Sequence, residues 1–321
     1  MSSTARQSLR QLGRDGPYIP AIGFGMMGMS LGYGPAATEE ERMQLLNKAW
    51  ELGCTNWDTA DIYGDNEDFI GNWFRKYPAR HQDIFLASKF GLKPSEDGNV
   101  TIDSSPEYCK ECLERSLQRL GVDQIDLYYI HRASPEIPIE TTMDAMRELF
   151  IQGKIRYIGL SEVSASTLRR THNVHPISAV QVECSPGHLL ATCRELGVST
   201  FAYAPLGRGI MTGMYRSSAD FGPGNARAIM ERLQGNSFEK KLKLVDGFIK
   251  LAMQKGCTSG QGSLRTFYPI PIVEHSPHDI RCGGRAWKVF LNPNETPGAL
   301  HIHHGTARDS EYKLHTKNND P

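Results

Sequence analysis

An excess of charge of either sign is absent from this chain. Its 36 Lys and Arg residues balance 36 Asp and Glu residues, so the formal net charge of the 321 residues is zero. A basic excess would favour binding to nucleic acid or to an anionic membrane, and here there is none. No apolar run approaches the roughly 18 residues of a spanning helix, and Met1–Gln7 lacks the apolar core of a signal peptide. We therefore expect a soluble, cytoplasmic protein without nucleic acid or membrane as a partner.

Patterns for metal and for a common nucleotide-binding domain are also lacking. The seven cysteines are scattered, and the pair Cys109 and Cys112 shares one face of a predicted amphipathic helix with leucines. No second pair follows at zinc spacing, and the histidines of 301–304 have no carboxylate or cysteine in register. We predict no metal. No Gly-x-Gly-x-x-Gly opens a helix, which makes a Rossmann domain the weaker choice.

What the chain does contain is a repeated alternation of strand and helix. Ser8–Pro20 has an Asp-Gly turn between two short alternating runs and predicts a hairpin. Thr38 and Glu41 form a capping box before a helix, and Ser105-Pro106 begins another that ends at Gly121. Seven units of this kind predict a parallel sheet with right-handed crossovers, closed into a barrel rather than left open. The predicted strands end near Gly25, Asp58, Ser88, His131, Ser161, Glu183 and Tyr203.

Four residues with complementary chemistry lie at the ends of consecutive predicted strands. Asp58 and Tyr63 lie in the stretch 56–64, Lys89 closes the next apolar run, and His131 closes the one after it. In a parallel barrel the carboxyl ends of the strands meet at one rim. Each residue alone has a plain structural interpretation, as a cap, a solvated cation or a packed histidine. Together they predict a catalytic site, in which a cation, Lys89 held by Asp58, lowers the pKa of the Tyr63 phenol toward working pH.

These residues, with the motifs around them, carry a family resemblance. The motifs are Gly23-Phe-Gly25, Gly159-Leu-Ser161, Gln181-Val-Glu183 and Tyr203-Ala-Pro-Leu-Gly-Arg-Gly209. In order and spacing the chain resembles the aldo-keto reductase superfamily, and within it the fungal and plant branch. The resemblance runs from about Leu9 to Gln261.

The resemblance implies an α/β protein with a (βα)8 TIM barrel and the hairpin as a plug beneath it. It implies an oxidoreductase that uses NADP(H) to reduce an aldehyde or ketone to an alcohol, reversibly, with a small-molecule carbonyl as substrate. Tyr63 would then be the proton donor, Lys89 would favour the tyrosinate, Asp58 would orient Lys89, and His131 would position the carbonyl oxygen. The sequence indicates no oligomeric state and no preference between NADPH and NADH beyond this resemblance.

The resemblance also implies the residues that bind the cofactor. Gly25 lets the cofactor approach the first strand, and Met26 follows where the family makes backbone contacts. Ser161 and Gln181 would hydrogen-bond the nicotinamide carboxamide, and Tyr203 would stack on its ring. The loop after Tyr203 would hold the pyrophosphate, through Pro205, Leu206, Gly207 and Arg208.

The chain departs from the family pattern in two places. The segment 185–188 is short, which predicts a substrate pocket cut back on that side. We divide the chain into a barrel over residues 1–261 and an atypical, disordered tail over 262–321, in which the last βα unit is degenerate or replaced. The prolines of the run 268–273 argue against an eighth strand there. An alternative function is therefore a nicotinamide-binding regulatory subunit, as the potassium-channel beta subunits are, or an inactive remnant with a truncated cofactor site.

Overall fold

A closed parallel barrel forms the centre of the computed structural model, which describes residues 8–95, 99–183, 188–267 and 272–274. The strands in chain order are β1 (Leu9–Gln11), β2 (Tyr18–Pro20), β3 (Ile22–Gly25), β4 (Asn56–Asp58), β5 (Phe85–Phe90), β6 (Leu92–Pro94), β7 (Val100–Ile102), β8 (Ile125–Ile130), β9 (Ile155–Ser161), β10 (Ala179–Val182), β11 (Ser199–Tyr203) and β12 (Ile272–Glu274). Around the barrel wall the order is β3, β4, β5, β8, β9, β10, β11 and β12, and β12 pairs in parallel with both β11 and β3. The predicted α/β barrel is confirmed.

Helices follow most of the barrel strands and cover the wall. They are α1 (Met27–Ser30), α2 (Glu39–Glu51), α3 (Asn66–Lys76), α4 (Pro78–His81), α5 (Pro106–Leu120), α6 (Ile139–Ile151), α7 (Ala165–Val174), α8 (His188–Leu196), α9 (Gly235–Gln254) and α10 (Ser259–Phe267), with four 3-10 turns between Ile210 and Leu233. None of the helices in the described ranges is long and apolar enough to cross a membrane.

The eighth strand corrects one expectation from the sequence. The absence of β12 would have left the edges of the first and seventh barrel strands unpaired, but Ile272 pairs with both Ile22 and Ala202. The strand starts after Pro271, so the prolines that cannot donate ladder hydrogen bonds lie before it. The remainder of the predicted tail, including the histidines of 301–304, lies outside the described residues, as does most of the segment 185–188.

Local sequence chemistry explains where several helices begin and end. The Thr38 hydroxyl accepts from the Glu41 amide while the Glu41 carboxylate accepts from the Thr38 amide, which is the predicted capping box. The Ser105 hydroxyl accepts from the Tyr108 amide, with Pro106 as the first helical residue. Gly121 ends α5 in a left-handed conformation, with φ of 67°. These contacts fix the ends of the helices that lie behind the barrel strands.

The core has two layers. Inside the barrel, Phe85, Leu127, Tyr129 and Phe201 pack with residues of the β1–β2 hairpin and its turn, so the hairpin closes the amino-terminal end as predicted. A larger cluster fills the space between the sheet and the helices, around Trp57, Trp73 and Phe74. A smaller cluster lies under α9. The carboxyl-terminal end of the barrel, which the hairpin does not cover, is available for a site built from loops.

Candidate active site

The four residues predicted to be catalytic meet at the carboxyl-terminal end of three neighbouring strands. Asp58 is the last residue of β4, Lys89 lies next to the end of β5, and His131 directly follows β8. Strand register aligns Asp58 with Gly25 on one side and with Ala87 on the other, and Lys89 with Tyr129. Residues 73 positions apart in the chain are thereby brought to one rim, from Asp58 to His131.

Lys89 and Asp58 form a buried ion pair. Their side chains are 0% and 2% exposed, and the Lys89 ammonium contacts Asp58 Oδ1 directly. The same ammonium donates to the backbone oxygen of Thr59 at 2.8 Å. Burial lowers the pKa of Lys89 from its usual range, and the Asp58 carboxylate opposes that shift. The pair therefore places a cation, with its bonds satisfied, at the base of the site.

The other oxygen of Asp58 is also occupied. The side-chain amide of Gln181 donates to Asp58 Oδ2 at 2.8 Å, although the two residues lie 123 positions apart. Because β10 and β4 are four strands apart in a ring of eight, this bond crosses the interior of the barrel. Gln181 was predicted to hydrogen-bond the nicotinamide carboxamide through its side-chain amide. In the structure, the nitrogen of that amide donates to Asp58.

Tyr63 lies over this ion pair in the loop that joins β4 to α3. Its side chain is 5% exposed, and the Lys89 ammonium is 5.3 Å from the centre of its ring. The His131 ring meets it edge-on, with ring centres 5.8 Å apart. The phenol, the imidazole and the ammonium therefore share one small volume, as the sequence predicted.

The ionisation of Tyr63 differs from the expectation. Burial and then the carboxylate of Asp58 raise the pKa of the Tyr63 phenol well above its ordinary value of 10.0. The cation that acts in the opposite direction is Arg132, whose effect is smaller. The net shift is therefore upward, opposite in direction to the predicted lowering toward working pH. The charge of Lys89 is paired with Asp58, whose carboxylate acts against ionisation of the phenol.

Residues predicted to bind a nicotinamide ring line the opposite side of the rim. Ser161 is the last residue of β9, Gln181 pairs with it in register on β10, and Tyr203 is the last residue of β11. Ser161 and Gln181 are each 2% exposed, and Tyr203 is partly exposed. The structure brings these three to the same end of the barrel as the catalytic four, with the Gln181–Asp58 bond between the two groups.

The remaining predicted cofactor residues lie in two loops at the same end. Met26 follows β3, and its backbone oxygen accepts from the Asn66 side chain at 2.7 Å. After β11 the backbone is left-handed at Ala204, with φ of 49°, and again at Gly207 and Arg208, with φ of 57° and 58°. Left-handed backbone at a residue with a side chain is unfavourable and often occurs at functional sites. Pro205 and Leu206 lie between these positions, and the Pro205 backbone oxygen accepts from Ser263 at 2.7 Å.

Two arginines at this rim were missed by sequence reasoning. Arg132 donates to the Ser161 hydroxyl at 3.2 Å and to the His131 backbone oxygen at 2.8 Å. Arg227 is fully buried, donates to the Arg208 backbone oxygen at 2.7 Å and lies 4.2 Å from the ring centre of Tyr33. Arg132 could have been found from the sequence, because it directly follows His131. Arg227 could not, because it lies in a loop of 3-10 turns whose sequence has no periodicity.

A separate cleft of about 540 Å³ lies at the other end of the barrel, beside the hairpin. Its lining includes Tyr18, Trp50, Phe85 and Arg156, and no residue of the predicted site. We place the active site at the carboxyl-terminal end, because the buried ion pair, the raised pKa of Tyr63 and the left-handed loops coincide there.

Comparison with known proteins shows the family of this chain. The model of the aldo/keto reductase family matches residues 21–268. The chain belongs to the aldo/keto reductase family. It is thus similar to oxidoreductases that act on carbonyl compounds, and the matched range contains every residue predicted above for catalysis or cofactor binding.

Curated relatives within the family include two fungal proteins. Aldo-keto reductase yakc (NADP(+)) of Schizosaccharomyces pombe is 47% identical over 267 residues, which cover 79% of this chain and 77% of the relative. Aldo-keto reductase str7 of Strobilurus tenacellus is 44% identical over 290 residues, which cover 86% of this chain and 83% of the relative. Both shares are high enough to include most of the barrel.

Solved structures of aldo-keto reductases share the fold at lower identity. The glycerol dehydrogenase AKR11B4 of Gluconobacter oxydans superposes with a TM-score of 0.76 at 23% identity, over 90% of this chain and 91% of that chain. Aldo-keto reductase AKR11C1 of Bacillus halodurans gives 0.69 at 26% identity, over 88% and 91%. The first of these supports the fold alone.

Proposed function

We propose that this protein is an NADP(H)-dependent reductase of an aldehyde or ketone, in which Tyr63 donates the proton to the carbonyl oxygen. The observation that carries the proposal is the position of the Tyr63 phenol over a buried Lys89–Asp58 ion pair, with the His131 ring at its edge. A neutral acid next to a fixed cation suits a reaction in which negative charge develops on an oxygen atom.

Each of the four residues then has a defined task. Tyr63 carries the transferred proton on its phenol oxygen and becomes a tyrosinate when the proton leaves. The Lys89 ammonium, 5.3 Å from the ring centre, stabilises that negative charge. Asp58 keeps the ammonium charged and directed. His131 orients the carbonyl oxygen toward Tyr63.

The raised pKa of Tyr63 bears on how the rates of the two directions of the reaction depend on pH. Burial and the carboxylate of Asp58 favour the protonated phenol, which is the form that acts as an acid in carbonyl reduction. Alcohol oxidation needs the tyrosinate as a base, so the reverse reaction should become faster as the pH rises. Reversibility with opposite pH dependence in the two directions is part of the proposal.

When bound, NADPH would supply the hydride that reduces the carbonyl carbon. The residues present support such a cofactor: Ser161, Gln181 and Tyr203 are side by side at three strand ends, suited to the nicotinamide. Arg208 Nε is buried without a hydrogen-bond partner among the described residues, in a left-handed loop. A phosphate group is a suitable partner for such a donor. We propose NADPH rather than NADH because the Schizosaccharomyces pombe relative carries NADP(+) in its name.

The test is a pair of measurements on the purified 321-residue chain. NADPH and NADH are titrated by fluorescence, and turnover of 4-nitrobenzaldehyde is then followed at saturating cofactor. We expect Tyr63→Phe to lose at least about 100-fold in kcat, the lower range of general acid contributions, with nearly unchanged cofactor affinity.

The matched control is Tyr157→Phe, at a half-buried tyrosine near the start of β9 and away from the site. Parental turnover by Tyr63→Phe would show that the acid is another group. Tight NADPH binding by the parental chain with negligible turnover of several carbonyl compounds would favour a regulatory, nicotinamide-binding protein instead.

A further inference from the structure

We infer that Arg119 is a positioning residue for this reaction: its guanidinium holds the loop that carries Tyr63 and, through Glu67 and Ser88, the strand segment that carries Lys89. The inference rests on the proposed function and extends it to a group on α5 that touches neither substrate nor cofactor. According to this inference, one side chain outside the site fixes the position of the Tyr63 phenol.

The contacts of Arg119 bracket Tyr63. Its Nη1 donates to the backbone oxygen of Asp61 at 3.1 Å, two residues before Tyr63. Its Nη2 donates to the backbone oxygen of Gly64, one residue after Tyr63. A rigid fork of donors can bind two carbonyls at a fixed separation. The loop on both sides of the proton donor is thus bound to one planar group.

The same guanidinium reaches a buried carboxylate. Nη1 donates to Glu67 Oε2 at 3.1 Å, and the Glu67 side chain is 0% exposed. Glu67 Oε1 accepts from the Ser88 hydroxyl at 2.6 Å, and Ser88 directly precedes Lys89 on β5. One chain of charged and polar contacts therefore connects the loop of the acid to the strand of the cation.

Electrostatics give Arg119 a role in this chain of contacts. Burial raises the pKa of Glu67; the Ser88 hydrogen bond is the largest effect that opposes this shift, and the charge of Arg119 acts in the same direction. Burial also raises the pKa of the neighbouring Asp61, and the charge of Glu67 adds to that rise. Without the Arg119 guanidinium, the buried Glu67 carboxylate would lose its ion-pair partner on α5.

Helix packing holds Arg119 in place. A Cβ atom at Gly71 of α3 would lie 2.3 Å from the Arg119 backbone oxygen and 2.9 Å from that of Leu120. The absence of a side chain at Gly71 therefore allows α3 and α5 to touch there. Arg119 Nε also donates to Asp68 of α3 at 2.9 Å, at the solvent edge. The backbone of Arg119 is fixed by packing while its side chain reaches the loop.

The experiment compares four variants of the full chain with the parent: two single variants, their combination and a control. Arg119→Lys retains the charge beside Glu67 but cannot bond both loop carbonyls, and Glu67→Gln retains an acceptor for Ser88 but removes the charge. The control is Arg170→Lys, since Arg170 makes a bidentate ion pair with Glu140 between α7 and α6, far from the loop. Each protein is assayed with NADPH and 4-nitrobenzaldehyde, alongside its thermal unfolding.

We expect Arg119→Lys and Glu67→Gln each to lower kcat about 10-fold or more, with KM and the NADPH Kd within about 3-fold of the parent. The deuterium isotope effect on kcat, with NADPH labelled at the transferred C4 hydrogen, should rise because the chemical step becomes slower. The double variant should lose little more than either single variant, since both break one chain of contacts. Arg170→Lys should change none of these quantities.

Parental kcat and isotope effect in Arg119→Lys and Glu67→Gln would overturn the inference. A kcat loss of the same size in Arg170→Lys, or one fully explained by unfolding at the assay temperature, would overturn it as well. If Arg119→Lys does not fold, Glu67→Gln alone decides between these outcomes. Failure of the proposed function is distinguishable, because it would appear as parental turnover in Tyr63→Phe.

Discussion

Removal of the Lys89 ammonium should destabilise the whole barrel as well as stop the reaction. Lys89→Met leaves the Asp58 carboxylate in an interior where the two side chains are 0% and 2% exposed. Breaking a buried ion pair by removing one partner costs about 3–5 kcal/mol. Because Asp58 keeps one hydrogen bond from Gln181 at 2.8 Å, we take the lower end, about 3 kcal/mol. At about 2–4 °C per kcal/mol, the melting temperature should fall by about 6–12 °C.

A double-mutant comparison isolates the charge. Urea unfolding at pH 7 is measured for Lys89→Met, Asp58→Asn and the combined variant, which has no charge left at this position. The combined variant should be more stable than Lys89→Met, because its buried amide needs no counter-charge. Lys110→Met serves as control, since its partner Glu148 and Lys110 itself are exposed, and it should be almost as stable as the parent. The reasoning is refuted if Lys89→Met matches the parent, or if adding Asp58→Asn gives no recovery.

Two further predictions concern buried positions near the site. Burial raises the pKa of Asp61 to about 7, so its contribution favours folding below the unfolded pKa and is lost as the pH rises through 7. Urea unfolding from pH 5 to pH 8 should show a loss of at most about 3 kcal/mol from this group, and Asp61→Asn should remove that loss, whereas an unchanged pH profile would contradict it. A Cβ at Gly159 would lie 2.4 Å from the Tyr129 ring, so Gly159→Ala should cost about 1–3 kcal/mol of unfolding free energy. Parental stability of Gly159→Ala in the same assay would show that the ring can move aside.

The parts of the fold that could be predicted are those that local chemistry decides. The capping box at Thr38, the helix start at Ser105 and the left-handed glycine at Gly121 each depend on residues within a few positions, and all three are observed. The last predicted barrel strand before the tail, expected to end near Tyr203, is observed as Ser199–Tyr203. The β6–β7 hairpin was missed, because each of its strands has 3 residues, too few for an alternation to be distinguished from chance.

The residues of the candidate site could be predicted from the sequence, but most of the hydrogen bonds between them could not. A carboxylate, a phenol, a lysine and a histidine at consecutive strand ends predicted the cluster that the structure contains. The bond from Gln181 to Asp58 could not be predicted, since it depends on which strands face each other across a closed ring. The ionisation of Tyr63 could not be predicted either, because desolvation depends on the packing around the hydroxyl rather than on the nearest cation. The strand β12 was not predicted, because the prolines directly before it argued against a strand in that part of the sequence.

The hydrogen bond from Gln181 to Asp58 connects two opposite sides of the barrel near its carboxyl-terminal end. Hydrogen bonds between neighbouring strands fix the circumference of a barrel, but a ring of fixed circumference can still flatten into an oval. A bond between strands on opposite sides, β10 and β4, also fixes the diameter in that direction. One amide and one carboxylate thereby contribute to the distance between the catalytic rim and the opposite rim. Asp58→Glu, one methylene longer, would change the shape of the opening as well as the position of the Lys89 ammonium.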